Sequence, residues 1–509
     1  MSGARRALLS VLAVAAVATL ARGCGEDRPA PRPPGASAYD RDGYRVDGGA
    51  PPAGPRRNLV VILIDTLRRD CAAMPGEPGG QMPFVTSLAR RGVSFADAAS
   101  PAPWTLPSMT SMLTGLLPSR HGLDRFFTAP RLNEAITTFA EALRNGNGYE
   151  TVAFSSGPWF GTGGSVLHGF AGSGGDFALQ TFLKPDGLVE QWAARRDRAK
   201  PYFLLLHTLE AHDPYGEANH PWPAWAIPPA VPGTPTAEDV TEPWEVTKHF
   251  LLDVRFRTHQ RFRLPVVIQY VNSGYRDEPR PEMARELEAA YRDGARWVDG
   301  LVAKAVATLE RLGLLQDTLL VVASDHGEAF GEHGTLEHGR TLYDELLRVP
   351  LVLVGPEPFT GGRVLKGSVG LIDLLPTFFD WAGLVPLTGL DGRSFLPRVA
   401  GPDPGGWPVV SEERLNRSNT QEDADVFLAS VRDEKWKYVL VHDVVAGTVR
   451  EELYDLGKDP REERDLAKEG WFELNVGDFG PAFCAAVEGV RERVWADGTV
   501  KAPRPPRCP

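Results

Sequence analysis

Cysteine is scarce in this chain, with four in 509 residues, at Cys24, Cys71, Cys484 and Cys508. Their spacing fits no zinc module, which excludes a cysteine-built metal site. In an oxidising compartment the spacing leaves room for one disulfide near the C-terminus, Cys484 to Cys508. Cys71 follows an apolar run and has nothing nearby to activate it, so it reads as a half-buried thiol and not a nucleophile. Long hydrophobic runs are also missing. The N-terminal run Ala7–Leu20 is too short to span a bilayer comfortably, and it follows Arg5 and Arg6, which is the layout of a signal peptide. There is no internal repeat. Past the first few residues no block of Lys or Arg occurs, and 55 Lys plus Arg stand against 66 Asp plus Glu, a net charge of −11. Nucleic acid is therefore excluded as a partner. An acidic balance does not exclude an anionic substrate, because a bound cation reverses the local field.

What is present gives a four-part plan. Residues 1–24 read as the leader. Its end, "LARGC" at Cys24, loosely resembles a lipobox, with Arg22 out of pattern and Leu20 one position too far from the cysteine. A plain signal peptide, a lipid tether to the membrane and an uncleaved anchoring helix all stand as readings. The first two make the protein exported, either periplasmic or a membrane-anchored lipoprotein. Residues 25–57 are rich in Pro, Gly, Arg and Asp and read as a tether. Residues 58–395 form the large domain and 396–509 a smaller C-terminal subdomain.

The large domain opens with "NLVVILIDTLRRD", a continuous apolar run from Leu59 to Ile64 that suits a strand buried on both faces of a parallel sheet. "YFLLLHTLEAHDPY", "DTLLVVASDHGEAFGEHG" and "RVPLVLVGP" repeat the design. Helical spacing between them is clearest from Pro281 to Leu312. The expected fold class is therefore α/β, with a large, mainly parallel sheet flanked by helices and a C-terminal α+β subdomain. Its antiparallel strands would be "FLASVRDEKWKYVLVHD" and "EELYDL". The Trp- and Pro-rich stretch His220–Pro243 reads as a lid or specificity loop whose Trp rings could stack on a sugar or aromatic leaving group.

Asp65, Asp325 and His326 each follow a buried apolar run, so a parallel sheet brings them to one carboxyl edge. Two carboxylates and an imidazole at one spot are costly unless a divalent cation neutralises them. The stretch "APWTLPSMTSMLTG" adds Thr105 and Ser108, either of which could cap a helix from about Pro107 to Leu113. A hydroxyl at a helix N-terminus beside a metal could equally act as a nucleophile on a tetrahedral anion.

The blocks "NLVVILIDTLRRD", "PWTLPSMTSMLTGLLPSRHG", "FLLLHTLEAHDPY", "SDHGEAFGEHGTLEHGRTLYDELLRVPL" and "ELYDLGKDPREERDLA", in this order, resemble the sulfatase family of the alkaline phosphatase superfamily from Asn58 to about Lys468. The resemblance implies a metal-dependent hydrolase of sulfate or phosphate esters. It assigns Asp65, Asp325, His326 and Thr105 to one divalent metal ion, with Thr105 also at the nucleophile position. It makes His212 a contact to the tetrahedral group, with His338 or Arg340 near a second cationic contact. His207, at the same strand end as His212, joins the substrate-binding candidates. His333 is a candidate to orient a neighbour, and Asp213, His333 and His338 are spare ligands for a two-metal variant. His121 and His168 read as structural.

Three departures separate this chain from sulfatases that form formylglycine. Thr105 is not a substrate for that conversion, Met109 replaces the motif Arg, and Thr66 replaces a second Asp. They point to relatives with an unmodified Thr acting on phosphate or phosphonate esters. Among Mn, Zn, Mg and Ca, one nitrogen ligand and one fewer carboxylate favour manganese or zinc. The partners expected are a small-molecule ester or a glycan or lipid ester. Two other readings stand: a phospho-headgroup transferase acting on a cell-envelope acceptor, and a catalytically silent binding protein of the same fold.

Overall fold

The computed structural model describes residues 57–505 except 78, 125–130, 156–166, 171–172, 176–186, 213–214, 216–280, 416–425, 471–478, 497 and 502. The leader, nearly all of the tether, the His220–Pro243 insertion, Asp213 and Cys508 therefore lie outside the described residues. None of the described helices is long and apolar enough to cross a membrane.

Eight strands form the main sheet, in the order Arg363–Leu365, Val93–Phe95, Leu351–Val354, Thr318–Ser324, Asn58–Ile64, Tyr202–Thr208, Glu150–Ser155 and Ser173–Gly175. The central strand Asn58–Ile64 runs parallel to both neighbours. It shows why its apolar run is continuous. Leu59, Val61 and Leu63 enter one core, which also holds Leu106, Met109, Phe378 and Phe379 from two helices. Val60, Ile62 and Ile64 enter the opposite core, under the long helix Pro281–Arg311 with Leu287, Tyr291, Val298 and Leu309. Alternation of side chains with both faces covered requires apolar residues at every position.

One strand departs from the expected plan. Leu351–Val354, from "RVPLVLVGP", pairs antiparallel with both neighbours. Between Asp325 and Pro350 the chain makes only short strands and single helical turns. It therefore never crosses back over the sheet as a parallel connection requires, and the next strand starts at the edge where the last one ended.

The C-terminal subdomain is a four-stranded antiparallel sheet of Val409–Leu415, Val426–Arg432, Trp436–Asp443 and Thr448–Asp455. The helix Pro481–Ala496 covers one face through Phe483, Val487 and Val490. Phe395 and Val399, on either side of the expected boundary, both belong to the core of the large domain. The two parts meet across polar contacts, with Ser411 Oγ donating to the Ser100 carbonyl at 2.6 Å. A buried charge cluster adds to the joint. Lys437 Nζ lies 2.8 Å from Asp344 and 2.6 Å from Glu462, and Arg432 bridges Asp97 and Asp344 at 2.5 and 3.1 Å. Cys484 is disulfide-bonded, and the expected partner Cys508 lies outside the described residues. Cys71 is fully buried, more than the sequence suggests, and burial pushes its thiol up to about 12. It is inert.

Candidate functional site

The site starts from strand register. Ile64 pairs with Ser324, so the next residues, Asp65 and Asp325, leave adjacent parallel strands side by side. Both are fully buried. Asp325 Oδ1 accepts from the backbone amides of His326 at 2.9 Å and Thr66 at 3.3 Å. Its Oδ2 accepts no hydrogen bond among the described residues, and its closest cationic neighbour is His326 Nε2 at 3.6 Å.

His326 is held in one tautomer. Nδ1 donates to the Gly327 carbonyl at 2.9 Å, a group that only accepts, so Nε2 is the nitrogen that can give up its proton and present a lone pair. That nitrogen lies 3.3 Å from Asp65 Oδ1 and 3.2 Å from Thr105 Oγ1. The Thr105 hydroxyl also reaches Asp65 at 3.3 and 3.4 Å. Asp65, Asp325, His326 and Thr105, separated by up to 261 positions in the chain, thus meet at one point.

Thr105 does not cap its helix. The helix runs Thr105–Thr114 with Trp104 in the cap position and no side-chain cap hydrogen bond. Ser108 does not cap it either, because its hydroxyl donates to the Asp325 carbonyl at 2.7 Å. Both hydroxyls point instead to the sheet edge. The cap reading of this stretch is overturned by the earlier start of the helix, which puts Thr105 at the first helical position and Ser108 a turn inside.

His207 sits deeper than a substrate contact would. It pairs in register with Leu63 and Ser155 on the strands to either side, its Nδ1 meets Ser155 Oγ at 2.9 Å, and its Nε2 lies 3.5 Å from Asp65 Oδ2. With Asp65 and Asp325 it offers ligand atoms within 4.8 Å of one another. The sequence reading placed it among substrate contacts; the geometry puts it at the cation cluster.

The electrostatics follow from burial. Desolvation pushes Asp65 up, yet hydrogen bonds from His207 and His326 and the field of His212 outweigh it and hold Asp65 well below the usual carboxylate range. Burial and the Asp65 charge raise Asp325. Burial pushes His326 down, but Asp325 and Asp65 win and hold it up at about 9. An unpaired buried carboxylate oxygen, a second carboxylate and imidazole nitrogens fit a divalent cation, whose charge would replace the proton held on His326.

An arm, Gly331–Tyr343, starts in the turn of the short hairpin of Ala329–Phe330 and Leu336–Glu337 and carries further candidate residues. The arm docks beside Thr105: the Gly339 amide donates to the Pro103 carbonyl at 2.9 Å. The φ of Gly339 is +78°, which favours glycine, and a Cβ there would lie 3.5 Å from Trp104. His338 lies with its ring 4.5 Å from that of His326 and 5.1 Å from that of His212. Arg340 is exposed on the same arm. His333 is not at the cluster. It stacks on Tyr343 at 3.6 Å and bonds to Glu345 and to the Glu462 carbonyl, which removes it from the spare ligands. His121 is buried between Ser111 and the Leu123 amide, a structural histidine. Sequence reasoning missed Glu328, Ser155 and Tyr215, which support these histidines.

Residues 57–384 match the sulfatase family, and residues 331–474 match the C-terminal region of N-sulphoglucosamine sulphohydrolase. The chain is 26% identical to choline-sulfatase of Rhizobium meliloti, over 81% of this chain and 82% of that one. It is 25% identical to the multifunctional alkaline phosphatase superfamily protein PehA of Trinickia caryophylli, over 83% and 94%. Among solved structures, the phosphonate monoester hydrolase of Agrobacterium radiobacter superposes with a TM-score of 0.62 at 21% identity, covering 86% of this chain and 96% of that one. With an α/β sheet edge that gathers acids, imidazoles and a hydroxyl, and with a family match over more than half its length, the chain belongs to the sulfatase family of the alkaline phosphatase superfamily, a family of ester hydrolases.

Proposed function

We propose that this protein is a metal-dependent hydrolase of phosphate or phosphonate esters in which unmodified Thr105 is the nucleophile. The observation that carries the reading is the Thr105 hydroxyl, bonded to Asp65 and His326 at the mouth of the cation cluster. A divalent cation bound by Asp65, Asp325, His326 and Thr105, with His207 beside them, would polarise the ester and lower the pKa of the Thr105 hydroxyl. The cluster's nitrogen ligands and the Thr at position 66 favour manganese or zinc over calcium.

Thr105 Oγ, its proton released to solvent, attacks the ester's phosphorus in line as the bond to the leaving oxygen breaks, and the departing oxygen takes up a proton from water. The backbone amides at the start of the Thr105 helix, together with His212, hold the equatorial oxygens. Water then cleaves the Thr ester and restores the hydroxyl. His338 and Arg340 face the ester from the arm. The absence of a convertible Cys or Ser supports a directly acting Thr, and the phosphonate hydrolase among the neighbours is consistent with the ester class.

A paired assay of purified, manganese- or zinc-loaded protein on aryl sulfate, phosphate monoester, phosphate diester and phosphonate monoester tests this. Preference for the phosphorus esters, abolished in Thr105→Ala, is expected. Preference for sulfate, or full activity in Thr105→Ala, refutes the reading.

A further inference from the structure

Glu328 is fully buried, and nothing in the chemistry above uses it. In the antiparallel hairpin Ala329 pairs with Glu337 and Phe330 with Leu336, so the same register continued by one position sets Glu328 opposite His338. Glu328 Oε1 accepts from His338 Nδ1 at 2.9 Å, and Oε2 accepts from the Tyr215 hydroxyl at 2.8 Å. Both oxygens of the carboxylate are therefore committed. Tyr215 is itself fixed, its ring packed edge-on against Tyr291 and Phe330. With Nδ1 held by a carboxylate, the other ring nitrogen of His338 is set to face the site, and it makes no hydrogen bond among the described residues. The side chain of His338 is 18% exposed, whereas its partner is sealed.

From this we infer that Glu328 is a positioning residue for His338: it selects which ring nitrogen faces the ester and fixes the angle of the ring, with Tyr215 holding the carboxylate in turn. A buried carboxylate costs folding free energy unless it is bonded at both oxygens. A hairpin staple could be made from neutral groups, so the arrangement points to the histidine as the group served. The inference rests on the reading that His338 faces the ester. It involves no bond change of its own.

The test is a double-mutant cycle on the metal-loaded full chain, using the ester preferred in the paired assay. Glu328→Ala is expected to lower kcat about 10- to 100-fold with little change in KM, the range for removing a carboxylate that orients an active-site histidine. Glu328→Gln, which keeps an acceptor for Nδ1–H, should recover most of the loss, and Tyr215→Phe should show a smaller loss of the same kind. In a His338→Ala background, Glu328→Ala should cost nothing further. Additive losses, or a loss of bound manganese in elemental analysis that accounts for the fall in kcat, would overturn the proposal. If Glu328→Ala does not fold, Glu328→Gln and Tyr215→Phe complete the cycle with His338→Ala. Failure of the underlying functional reading shows separately, as activity retained in Thr105→Ala.

Discussion

Two groups of acids in this fold, one at the joint between its two parts and one at the sheet edge, are balanced in different ways. At the joint between the two parts, Asp97, Asp344 and Glu462 meet Arg348, Arg432 and Lys437, acid for base. Burial pushes Asp344 up, but Arg432, Lys437 and Arg348 hold it well below its ordinary range. At the sheet edge, the charge partners of Asp65 and Asp325 among the described residues are histidines, and Asp325 is raised, as Glu462 is at the joint. Carboxylates are thus matched by permanently charged guanidinium and ammonium groups in one place and by imidazoles, which carry charge only when protonated, in the other. Only the second, with no Lys or Arg among its charge partners in the described residues, calls for a cation from outside.

Mutations on each side should separate the two. Asp325→Asn removes half the carboxylate charge of the edge cluster, and activity should fall by about 10⁴-fold, together with bound metal measured by elemental analysis. Retained metal with full activity would move the site elsewhere. Lys437→Met leaves Asp344 and Glu462 facing each other in a buried place, and breaking such a pair costs about 3–5 kcal/mol, read by denaturant unfolding. Metal affinity should not move; if it does, the two clusters are coupled and the contrast drawn above fails. Adding manganese or zinc at about 100 times its Kd should stabilise the folded protein by about 2.7 kcal/mol, seen as a rise in Tm that chelation reverses. Lys437→Met should show the same metal-dependent rise, whereas Asp325→Asn should lose it.

The edge cluster was the legible one. Asp65 and Asp325 each end an unbroken apolar run, and the adjacent strands leave them side by side as the pattern implies. His207 was harder, because it lies inside its strand at Tyr202–Thr208 and reads as one polar interruption of an apolar segment. Its role depends on pairing with the central strand, which periodicity along one strand does not contain. Thr105 was ambiguous for a local reason: Ser and Thr near a helix start satisfy the same sequence rule whether they cap or face a site. The joint was invisible. Asp97, Asp344, Arg432, Lys437 and Glu462 are charged residues scattered over five segments, and charge in a sequence ordinarily means solvent. Glu328 was hidden for the same reason, although a glutamate two residues after the Asp325–His326 pair, between Gly327 and the short apolar strand Ala329–Phe330, was the one signal available.

The weakest expected effect concerns a histidine that takes no part in either cluster. His121 accepts from the Leu123 amide at Nδ1, at 3.0 Å, so its proton is on Nε2 and meets Ser111 Oγ at 3.0 Å. Burial with no carboxylate partner pushes it down to about 3. The unfolded chain takes up a proton near pH 6.5 that the folded chain refuses until about pH 3, so between these values the unfolded state binds more protons. Stability is therefore fully present above pH 6.5 and falls with acidification, by about 2 kcal/mol between pH 7 and pH 5 from this residue alone. His326 and His333, both held up at about 9, act with the opposite sign between pH 6.5 and 9, where the folded state binds more protons. A bound cation removes the contribution of His326 by taking its proton's place. His121→Asn should therefore flatten the acid side of a stability-against-pH curve measured on metal-loaded protein by urea unfolding, while leaving the alkaline side as it was. An unchanged acid slope would mean that His121 becomes protonated in the folded protein and that the Leu123 amide has turned away from it.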